Sequence, residues 1–451
     1  MAGTSRPTTV STKLQRIAEL ARTAPTMVLT TLAHHVDVEF IREAYRRTRK
    51  GGATGVDGRT AAEYARNLEE NLQGLHERFM AGTYRAPPVR RVHIPKGDGS
   101  KTRPIGIPTF EDKVLQRAVH MVLEAVYEQD FLDCSHGFRR GRKPHDALGV
   151  LRTALMDFGG GWVLEADISG FFDRLTHRHL REFLDQRVRD GVLRRTVDKW
   201  LKAGVWEDGV VKISDTGSPQ GGVISPLLAN VYLHEVLDKW FEFEIKPRLE
   251  GRATLVRYAD DFVIVFSSER DARRVWDVLP KRFGKYSLDL HPEKSGLRSF
   301  GRPPRDQRGG RGPGTFGFLG FTHYWARSRK GAWVVKQKTD CSRLARALRA
   351  VNTWCRVHRH RPVAEQARGL AAKIRGHCGY YGITGNSVAL GAYAYRLRRI
   401  WRKWLDRRSH KTRMNWKKFN RLLERYPLPA PVAVHSSLRR SEGVSLRSRM
   451  R

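Results

Sequence analysis

The sequence of 451 residues has few cysteines, no long apolar run and few acidic residues. Its four cysteines form no CxxC pair, so neither a disulfide framework nor a zinc ribbon is indicated. No stretch approaches about 18 uninterrupted apolar residues, and the start of the chain lacks the apolar segment of a signal peptide. These absences argue against a membrane span and predict a reduced, cytoplasmic protein.

The scarcity of acidic residues has its own consequence. The chain has 46 Asp+Glu against 84 Lys+Arg, a formal net charge of +38. Such a charge disfavours a compact fold by self-repulsion, so we expect a polyanionic partner. A hydrophobic content of 40% still allows a large core, and the length suggests about two or three domains.

Hydrophobic periodicity predicts helices and strands in alternation, followed by a purely helical region. The predicted helices lie at 110–130, from about His177, 223–245, 269–284, 340–358, 362–375 and 388–408. The predicted strands lie at 89–95, 162–168, 254–258, 262–266 and 288–290.

Three aspartates occupy distinctive positions in this pattern. Asp167 ends the strand that begins at Trp162, and Asp260-Asp261 separates two apolar strands of a predicted hairpin. Asp is common in turns, so the pair alone could be structural. Three ionised carboxylates held together would repel one another, and a divalent metal would relieve that repulsion. Mg²⁺ prefers such oxygen ligands, and the joining of nucleotides uses two such ions.

Eight short segments occur in order between about 45 and 425. They are GVDG (55–58), RPIGIP (103–108), SHGFR (135–139), EADISGFFD (165–173), GSPQGGVISPLLAN (217–230), YADD (258–261), FLGF (318–321) and RGHCGYYGITGN (375–386). Together they resemble the motifs of bacterial group II intron-encoded reverse transcriptases, also called maturases.

The resemblance implies an α/β (α+β) right-hand polymerase with fingers and palm, followed by an α-helical thumb and maturase domain. The implied domains are a mobile N-terminal extension (1–40), N-terminal helices with a template-clamping loop (41–88), fingers and palm (89–325), a thumb/maturase with a basic nucleic-acid-binding region (336–425) and a basic tail (426–451).

The resemblance also implies an activity and its partners. The activity would be RNA-directed DNA synthesis with two Mg²⁺ ions, for which Mn²⁺ would also serve, combined with intron splicing and retrohoming. The partners would be group II intron RNA, an RNA template with a DNA primer, target DNA and dNTPs. The protein would be cytoplasmic, associated with the nucleoid when bound to target DNA, and not with a membrane. The sequence does not distinguish a monomer from a homodimer.

Metal positions implied by the resemblance are Asp167, Ile168, Asp260 and Asp261. The three aspartates would be catalytic. Adjacent strand residues face opposite ways, so Asp260 is the expected direct ligand, and Asp261 need not ligate.

The implied nucleotide-binding residues are Lys96, Arg103, Phe172, Gln220 and Lys294. A ring at Phe172 would exclude a ribose 2′-OH, whereas Phe171 suits the core better. Gln220 lies among glycines that permit close backbone approach. Lys96 and Arg103 would offset charge on the leaving group, and Lys294 would protonate pyrophosphate. For these three cations an ordinary surface role stays open.

The implied nucleic-acid-binding residues are Gly55, Asp57, Arg139, Arg375, Arg402, Lys403, Arg407 and Lys417. Between Arg396 and Arg425, thirteen Lys/Arg stand against two acids, with aromatic residues interleaved. Basic residues neutralise phosphates and aromatic residues stack on bases, but helical spacing favours core packing for Trp401 and Trp404.

Many relatives carry a C-terminal endonuclease with metal-binding His, Asn and Cys pairs. Only 26 residues follow Arg425 and none is a cysteine, so we expect an endonuclease-lacking type. Two alternatives stay open: a non-catalytic RNA-binding splicing factor, and a domesticated reverse transcriptase in phage defence or spacer acquisition. The complete acidic set opposes the first, and intron RNA flanking the reading frame would exclude the second.

Overall fold

The computed structural model describes residues 9–96, 101–212, 216–217, 221–304, 314–408 and 413–435, without the side chains of Lys96 and Lys101. The chain alternates helices and strands up to residue 339 and is helical beyond it. The predicted α/β region followed by a helical region is therefore confirmed.

The helices of the described residues are numbered in chain order. They are α1 (Val10–Thr23), α2 (Val38–Arg47), α3 (Ala61–Ala65), α4 (Leu68–Met80), α5 (Phe110–Asp130), α6 (Pro144–Asp157), α7 (Phe171–Arg174), α8 (His177–Asp185), α9 (Gly191–Lys202), α10 (Ser225–Leu233), α11 (Glu269–Gly284), α12 (Cys341–Val357), α13 (Val363–Tyr381), α14 (Ser387–Asp406) and α15 (Trp416–Arg425).

The strands form three sheets. They are β1 (Val89–Lys96), β2 (Lys101–Ile107), β3 (Trp162–Ala166), β4 (Val205–Glu207), β5 (Val210–Lys212), β6 (Ala253–Tyr258), β7 (Asp261–Phe266), β8 (Gly296–Ser299), β9 (Phe316–Phe318), β10 (Phe321–Arg327) and β11 (Trp333–Thr339). The sheet orders are β2-β1-β4-β5, β6-β7-β3-β8 and β11-β10-β9. The predicted strand 288–290 is reduced to one bridge, between Leu290 and Ile168.

The chain divides into two compact units. Unit 1 comprises Met1–Ala147, Ala166–Ile264 and Ser268–Leu297, and unit 2 comprises Leu148–Glu165, Val265–Ser267 and Arg298–Arg451. Unit 2 therefore takes in more than the helical region predicted at 336–425. Within it, Arg152 on α6 donates to the carbonyl of Val335 on β11 at 3.2 Å, which ties α6 to the β9–β11 sheet.

Helix α5 is the central helix of unit 1 and runs over the predicted range 110–130. The Thr109 side chain accepts a hydrogen bond from the backbone N–H of Asp112 and caps the helix. Its apolar side chains, from Phe110 to Tyr127, are largely buried, and so are the polar side chains of Asp112 and Gln116. Two buried polar groups on one helix require partners, which the loop before α10 and neighbouring side chains supply.

The predicted helix 223–245 is one helical segment, but its hydrogen bonding changes along its length. The α-helical part, α10, gives way to wider π-helical turns at His234–Asp238 and Trp240–Ile245. π-Helical turns are rare and shift the facing of the side chains that follow. Here Asp238 becomes fully buried in unit 1.

The predicted mobile extension 1–40 is wrong for the residues described there. Helix α1 buries Ile17 and Ala21. The Arg187 guanidinium donates to the carbonyls of Ala21, Ala24 and Met27 at 2.5, 2.8 and 2.6 Å. The segment is ordered because Arg187, more than a hundred residues away in the sequence, binds these backbone carbonyls.

The predicted basic tail 426–451 also differs from the structure as far as residue 435. Leu428 is buried in the helical core of unit 2. The backbone N–H of His435 donates to the carbonyl of Gly382 at 2.8 Å, and Thr384 donates to the carbonyl of His435 at 3.0 Å. In the described part of the chain, no helix is both long and apolar enough to cross a membrane.

Replacing Arg187 tests how firmly α1 is held. Arg187→Met removes the guanidinium that donates to the carbonyls of Ala21, Ala24 and Met27 and to the Asp130 carboxylate, so we expect the free energy of unfolding to fall by about 3 kcal/mol. Arg189→Met, two residues along and exposed, is the control. Urea unfolding followed by circular dichroism measures both, and equal stability of the two variants would contradict the anchoring role.

Candidate active site

The β6–β7 hairpin carries the Asp260-Asp261 pair at its tip. Asp260 lies in the turn, and Asp261 is the first residue of β7. Ala259 has φ 58°, a left-handed conformation that an alanine adopts at a cost. The tip must therefore be held by contacts elsewhere, and those contacts converge on Arg257.

Arg257 lies fully buried at the base of this tip. Its Nε and Nη2 donate to both carboxylate oxygens of Asp238 at 2.7 and 2.6 Å, and neither side chain is exposed. Its Nη1 donates to Asn230 Oδ1 at 3.0 Å and to the Ala259 carbonyl at 3.1 Å. The last bond reaches the strained residue itself, so the ion pair positions the turn that carries the aspartates.

Residues 134–137 run alongside β6 and support the same tip. Arg257 donates its backbone N–H to the Cys134 carbonyl, and His136 donates to the Arg257 carbonyl, each at 2.8 Å. A Cβ on Gly137 would collide with the backbone of Ala259 and lie 2.9 Å from the Tyr258 carbonyl carbon. Glycine is thus required where the SHGFR segment meets the hairpin.

Asp167 follows β3, which lies beside β7 in the sheet. Its carbonyl accepts from the His291 N–H at 2.8 Å, and its N–H donates to Ser295 Oγ at 3.2 Å. Its carboxylate pairs with the Lys294 ammonium. The turn 289–295 therefore fixes Asp167 through backbone and side chain alike.

The three carboxylates are close enough to influence one another. Burial and the charge of Asp167 raise the pKa of Asp260, against the opposing charges of Arg103 and Lys294. Dehydration by surrounding protein, then repulsion from Asp260 and Asp167, raises the pKa of Asp261 to about 7. Asp261 nevertheless has an exposed side, so water moderates the dehydration, whereas the repulsion persists.

The donor chemistry of this cluster suits a divalent metal, because crowded carboxylates with raised pKa values gain most from a cation. Within the described residues, however, no three acidic, histidine or cysteine side chains form a ligating group. Lys294 gives a physical reason, since its ammonium already neutralises Asp167. The cluster fits a metal in its chemistry, while the Asp167 carboxylate is paired with a lysine.

Of the predicted nucleotide-binding residues, Arg103, Phe172 and Lys294 have described side chains. Arg103 is exposed on β2 opposite Ile94, within electrostatic reach of Asp260. Phe172 is half-buried, and Phe171 beside it is buried, as predicted for a core residue. Gln220 and the Lys96 side chain lie outside the described residues.

The loop before α10 approaches the Phe172 segment. Gly217 has φ 93°, and a Cβ there would lie 3.2 Å from the Phe172 carbonyl. Its N–H donates to the Leu175 carbonyl at 2.7 Å. Phe172 and Gly217 are therefore neighbours, although they are far apart in the sequence.

Family comparisons agree with this arrangement. Residues 94–323 match the reverse transcriptase (RNA-dependent DNA polymerase) family, and residues 344–422 match the group II intron maturase-specific domain. The chain belongs to the group II intron reverse transcriptases.

Relatives of this reverse transcriptase include Protein YkfC of Escherichia coli (strain K12), 36% identical over 290 residues that cover 57% of this chain and 75% of that protein. The group II intron-encoded protein LtrA of Lactococcus lactis subsp. cremoris is 30% identical over 470 residues, covering 85% of this chain and 75% of LtrA. A 91 kDa protein in the cob intron of Schizosaccharomyces pombe is 38% identical over 38% of this chain and 20% of that protein. The resemblance seen in the sequence is thereby confirmed.

Arg139 does not have the position predicted for a nucleic-acid-binding residue. Its side chain is buried, with Nε donating to Glu128 at 2.9 Å and Nη1 donating to the carbonyls of Leu132 and Ser135 at 2.7 and 3.0 Å. Its guanidinium holds together the SHGFR segment of this reverse transcriptase. The prediction is corrected, because these internal partners occupy the buried guanidinium and keep it from binding a phosphate.

Gly55 and Asp57 form a tight turn. A Cβ on Gly55 would lie 2.6 Å from the Thr109 backbone, which explains the glycine. The exposed Asp57 side chain accepts from the Arg59 N–H at 3.2 Å. The loop geometry accounts for both residues, and a role toward a template stays a prediction.

The predicted basic residues of the helical region are on its surface. Arg375, Lys403, Arg407 and Lys417 are exposed, and the Arg402 guanidinium lies 4.5 Å from the ring centroid of Trp416. Trp416 is 45% exposed. We call Lys403, Arg407, Trp416 and Lys417 the basic face. Trp401 and Trp404 are buried in the core, as predicted, and donate to Gln366 and Asn352.

Sequence reasoning missed the residues that hold the site. Arg257 immediately precedes YADD, and Asn230 is the last residue of GSPQGGVISPLLAN. The sequence predicts no structural or catalytic role for either residue. The available signal was an arginine inside an apolar strand, since a buried charge needs a buried partner. That partner, Asp238, depends on the π-helical turns, which no sequence pattern revealed.

Asp261→Asn tests the electrostatic cost of the cluster. A carboxyl whose pKa is raised in the folded state favours the native protein at low pH, and that advantage is lost as pH rises toward about 7. In EDTA, the stability of the variant relative to wild type should therefore rise from about pH 4 to about pH 7. Above about pH 7 the difference should stay constant. Thermal unfolding at pH 5 and pH 8 measures this, with exposed Asp277→Asn as control. A pH-independent difference would contradict the crowding.

Proposed function

We propose that this reverse transcriptase transfers a deoxynucleoside monophosphate from a dNTP to a primer 3′-OH on an RNA template, releasing pyrophosphate. The observation that supports the proposal most is the convergence of Asp167, Asp260 and Asp261 at one edge of the β6-β7-β3-β8 sheet. An RNA-binding protein without catalysis gains nothing from clustered negative charge.

The metal set follows from the donors. Two Mg²⁺ ions, when bound, would activate the attacking 3′ oxygen and hold the pyrophosphate oxygens. Asp167 and Asp260 would hold them as direct ligands, with Asp261 adding charge. Ile168 is buried and aliphatic, so only its backbone carbonyl could contribute. Mn²⁺ has the same donor preference.

The remaining residues bind and select the nucleotide. Arg103 would face the triphosphate from β2, and Phe172 would exclude a ribose 2′-OH. Lys96 and Gln220 would complete the pocket. Lys294 pairs with Asp167 here, which supports a role beside the metals as well as the proposed protonation of pyrophosphate.

The second activity is intron binding as a splicing maturase, which would support retrohoming into target DNA. The basic face supports this, because it combines exposed cations with an exposed tryptophan. Among the described residues, no structural feature favours a domesticated role in defence or spacer acquisition. Intron RNA flanking the reading frame is the observation that separates the two.

Asp260→Ala/Asp261→Ala should abolish primer extension on poly(rA)/oligo(dT) while leaving RNA binding nearly unchanged. The reason is that both acids would serve the metal ions at the reacting phosphates and not the binding of RNA. Glu244→Ala/Asp277→Ala removes two exposed acids as the matched control. Persisting extension in the first variant would exclude the active-site assignment.

Neutralising the basic face tests intron binding. Lys403→Gln/Arg407→Gln/Lys417→Gln removes three cations, so the slope of log affinity against log salt should fall by about 2 to 3 units. Filter binding of the flanking intron RNA at several salt concentrations measures this. Arg274→Gln/Lys281→Gln/Lys285→Gln removes three exposed cations at and beyond α11 as control. An unchanged slope would show that the RNA binds elsewhere.

A further inference from the structure

Gln116 on α5 makes contacts that the polymerase assignment leaves without a role. It is 3% exposed, and its Oε1 accepts from the backbone N–H of Val223 at 2.7 Å and of Ile224 at 3.4 Å. These amides immediately precede α10, whose N-cap residue Ile224 makes no side-chain cap. A side chain from another helix thus satisfies two backbone donors at the entry to this helix.

The orientation of Gln116 is fixed in turn by Asp112, one helical turn earlier. Gln116 Nε2 donates to Asp112 Oδ2 at 3.1 Å, and Tyr84 Oη donates to Asp112 Oδ1 at 2.6 Å. Trp200 Nε1 donates to Tyr84 Oη at 3.4 Å. A carboxylate accepts only, so it leaves the Gln116 amide one orientation, with its oxygen toward Val223.

The backbone held by Gln116 continues into the proposed nucleotide pocket. Gly221 has φ 119°, and a Cβ there would lie 2.5 Å from the Gly106 carbonyl and 2.6 Å from Ile105 Cγ2. The loop is therefore pressed against β2, the strand of Arg103, on one side and hydrogen-bonded to α5 on the other. Its placement relative to the triphosphate-binding strand depends on both contacts.

We propose that Gln116 is a positioning residue for the incoming nucleotide, acting through the chain Tyr84–Asp112–Gln116 on the backbone at 221–224. It touches no substrate. The inference rests on the proposed function, in which Gln220, next to Gly221 in the chain, binds the nucleotide. A loop displaced by even about 1 Å loses much of its alignment with the reacting groups.

The hydrogen-bond chain allows a polarity-swap test. Gln116→Glu alone opposes two carboxylates, and Asp112→Asn alone lets the Gln116 amide turn its NH₂ toward Val223. In the double variant Asp112→Asn/Gln116→Glu, the new amide at position 112 donates to the new carboxylate at position 116. That carboxylate accepts from the Val223 N–H, and Tyr84 donates to the amide oxygen at position 112. The double variant therefore restores every bond of the chain and also the net charge.

The measurement is steady-state dNTP incorporation on a fixed primer–template, together with primer–template affinity and thermal midpoint. Each single variant should raise the dNTP KM by about tenfold, the effect of one lost buried hydrogen bond, with a smaller change in kcat. The double variant should return KM to near the wild-type value. Primer–template affinity should not change.

Gln73→Glu is the matched control. Gln73 Nε2 donates to Glu77 at 2.8 Å on the exposed face of helix α4, so the same substitution places two carboxylates one turn apart away from the pocket. Its KM should equal that of wild type. If Gln116→Glu does not fold, Gln116→Met removes the bonds without adding charge and should raise KM likewise.

Three results would overturn the inference. These are an unchanged dNTP KM in folded Gln116 variants, a loss of stability alone, and a double variant that regains stability without regaining KM. Failure of the proposed function is distinct, because wild-type protein would then incorporate no nucleotide under any condition.

Discussion

The Arg257–Asp238 ion pair is the contact on which the arrangement of the candidate site depends. Both side chains are fully buried, so the pair carries a large desolvation cost and adds little net stability. What it provides is position. It joins the π-helical turn at 234–238, the Asn230 amide, the Ser135 hydroxyl and the Ala259 carbonyl through one guanidinium. Five donors in a rigid plane are suited to such a junction, which a lysine could not reproduce.

The polar contacts that support the hairpin converge on Arg257. Around the tip of the hairpin, three carboxylates repel one another. The supporting contacts offset this repulsion. A cluster of like charges persists only where the surrounding contacts determine its geometry more strongly than the repulsion opposes it. The close approach of Gly137 to the hairpin and the turn 289–295 at Asp167 supply further contacts of this kind. The carboxylate cluster is thus electrostatically unfavourable, and the surrounding hydrogen bonds and close packing hold it in place.

Much of this protein was predictable from sequence, and the reasons differ from element to element. Helix α5 and the β6–β7 hairpin were predictable because long apolar periodicity and two strands around Asp-Asp are strong local signals. The order of residues 9–40 was missed because their anchors, Arg187 and Asp190, lie more than 150 positions away. The motif that contains Arg139 is predictable, but the partner of its side chain is not, because a motif does not determine which way a side chain points. The local sequence does not indicate the roles of Gln116 and Asp238. Gln116 binds backbone amides more than a hundred positions away, and the burial of Asp238 depends on π-helical turns that have no sequence signature.

The anchoring of α1 and the residues after it has a consequence for the order in which the chain acquires its structure. These residues need Arg187 and the Asp190 carboxylate, which accepts from the amides of Leu32 and Ala33. Neither anchor exists until far more of the chain has been synthesised, and closing so long a loop is slow. During that interval the amides of Leu32 and Ala33 and the Ala21 carbonyl lack these partners, so this part of the nascent chain stays incompletely structured until residues 187–190 are in place. Folding yield should therefore be sensitive to residues near position 187 that lie nowhere near the chemistry.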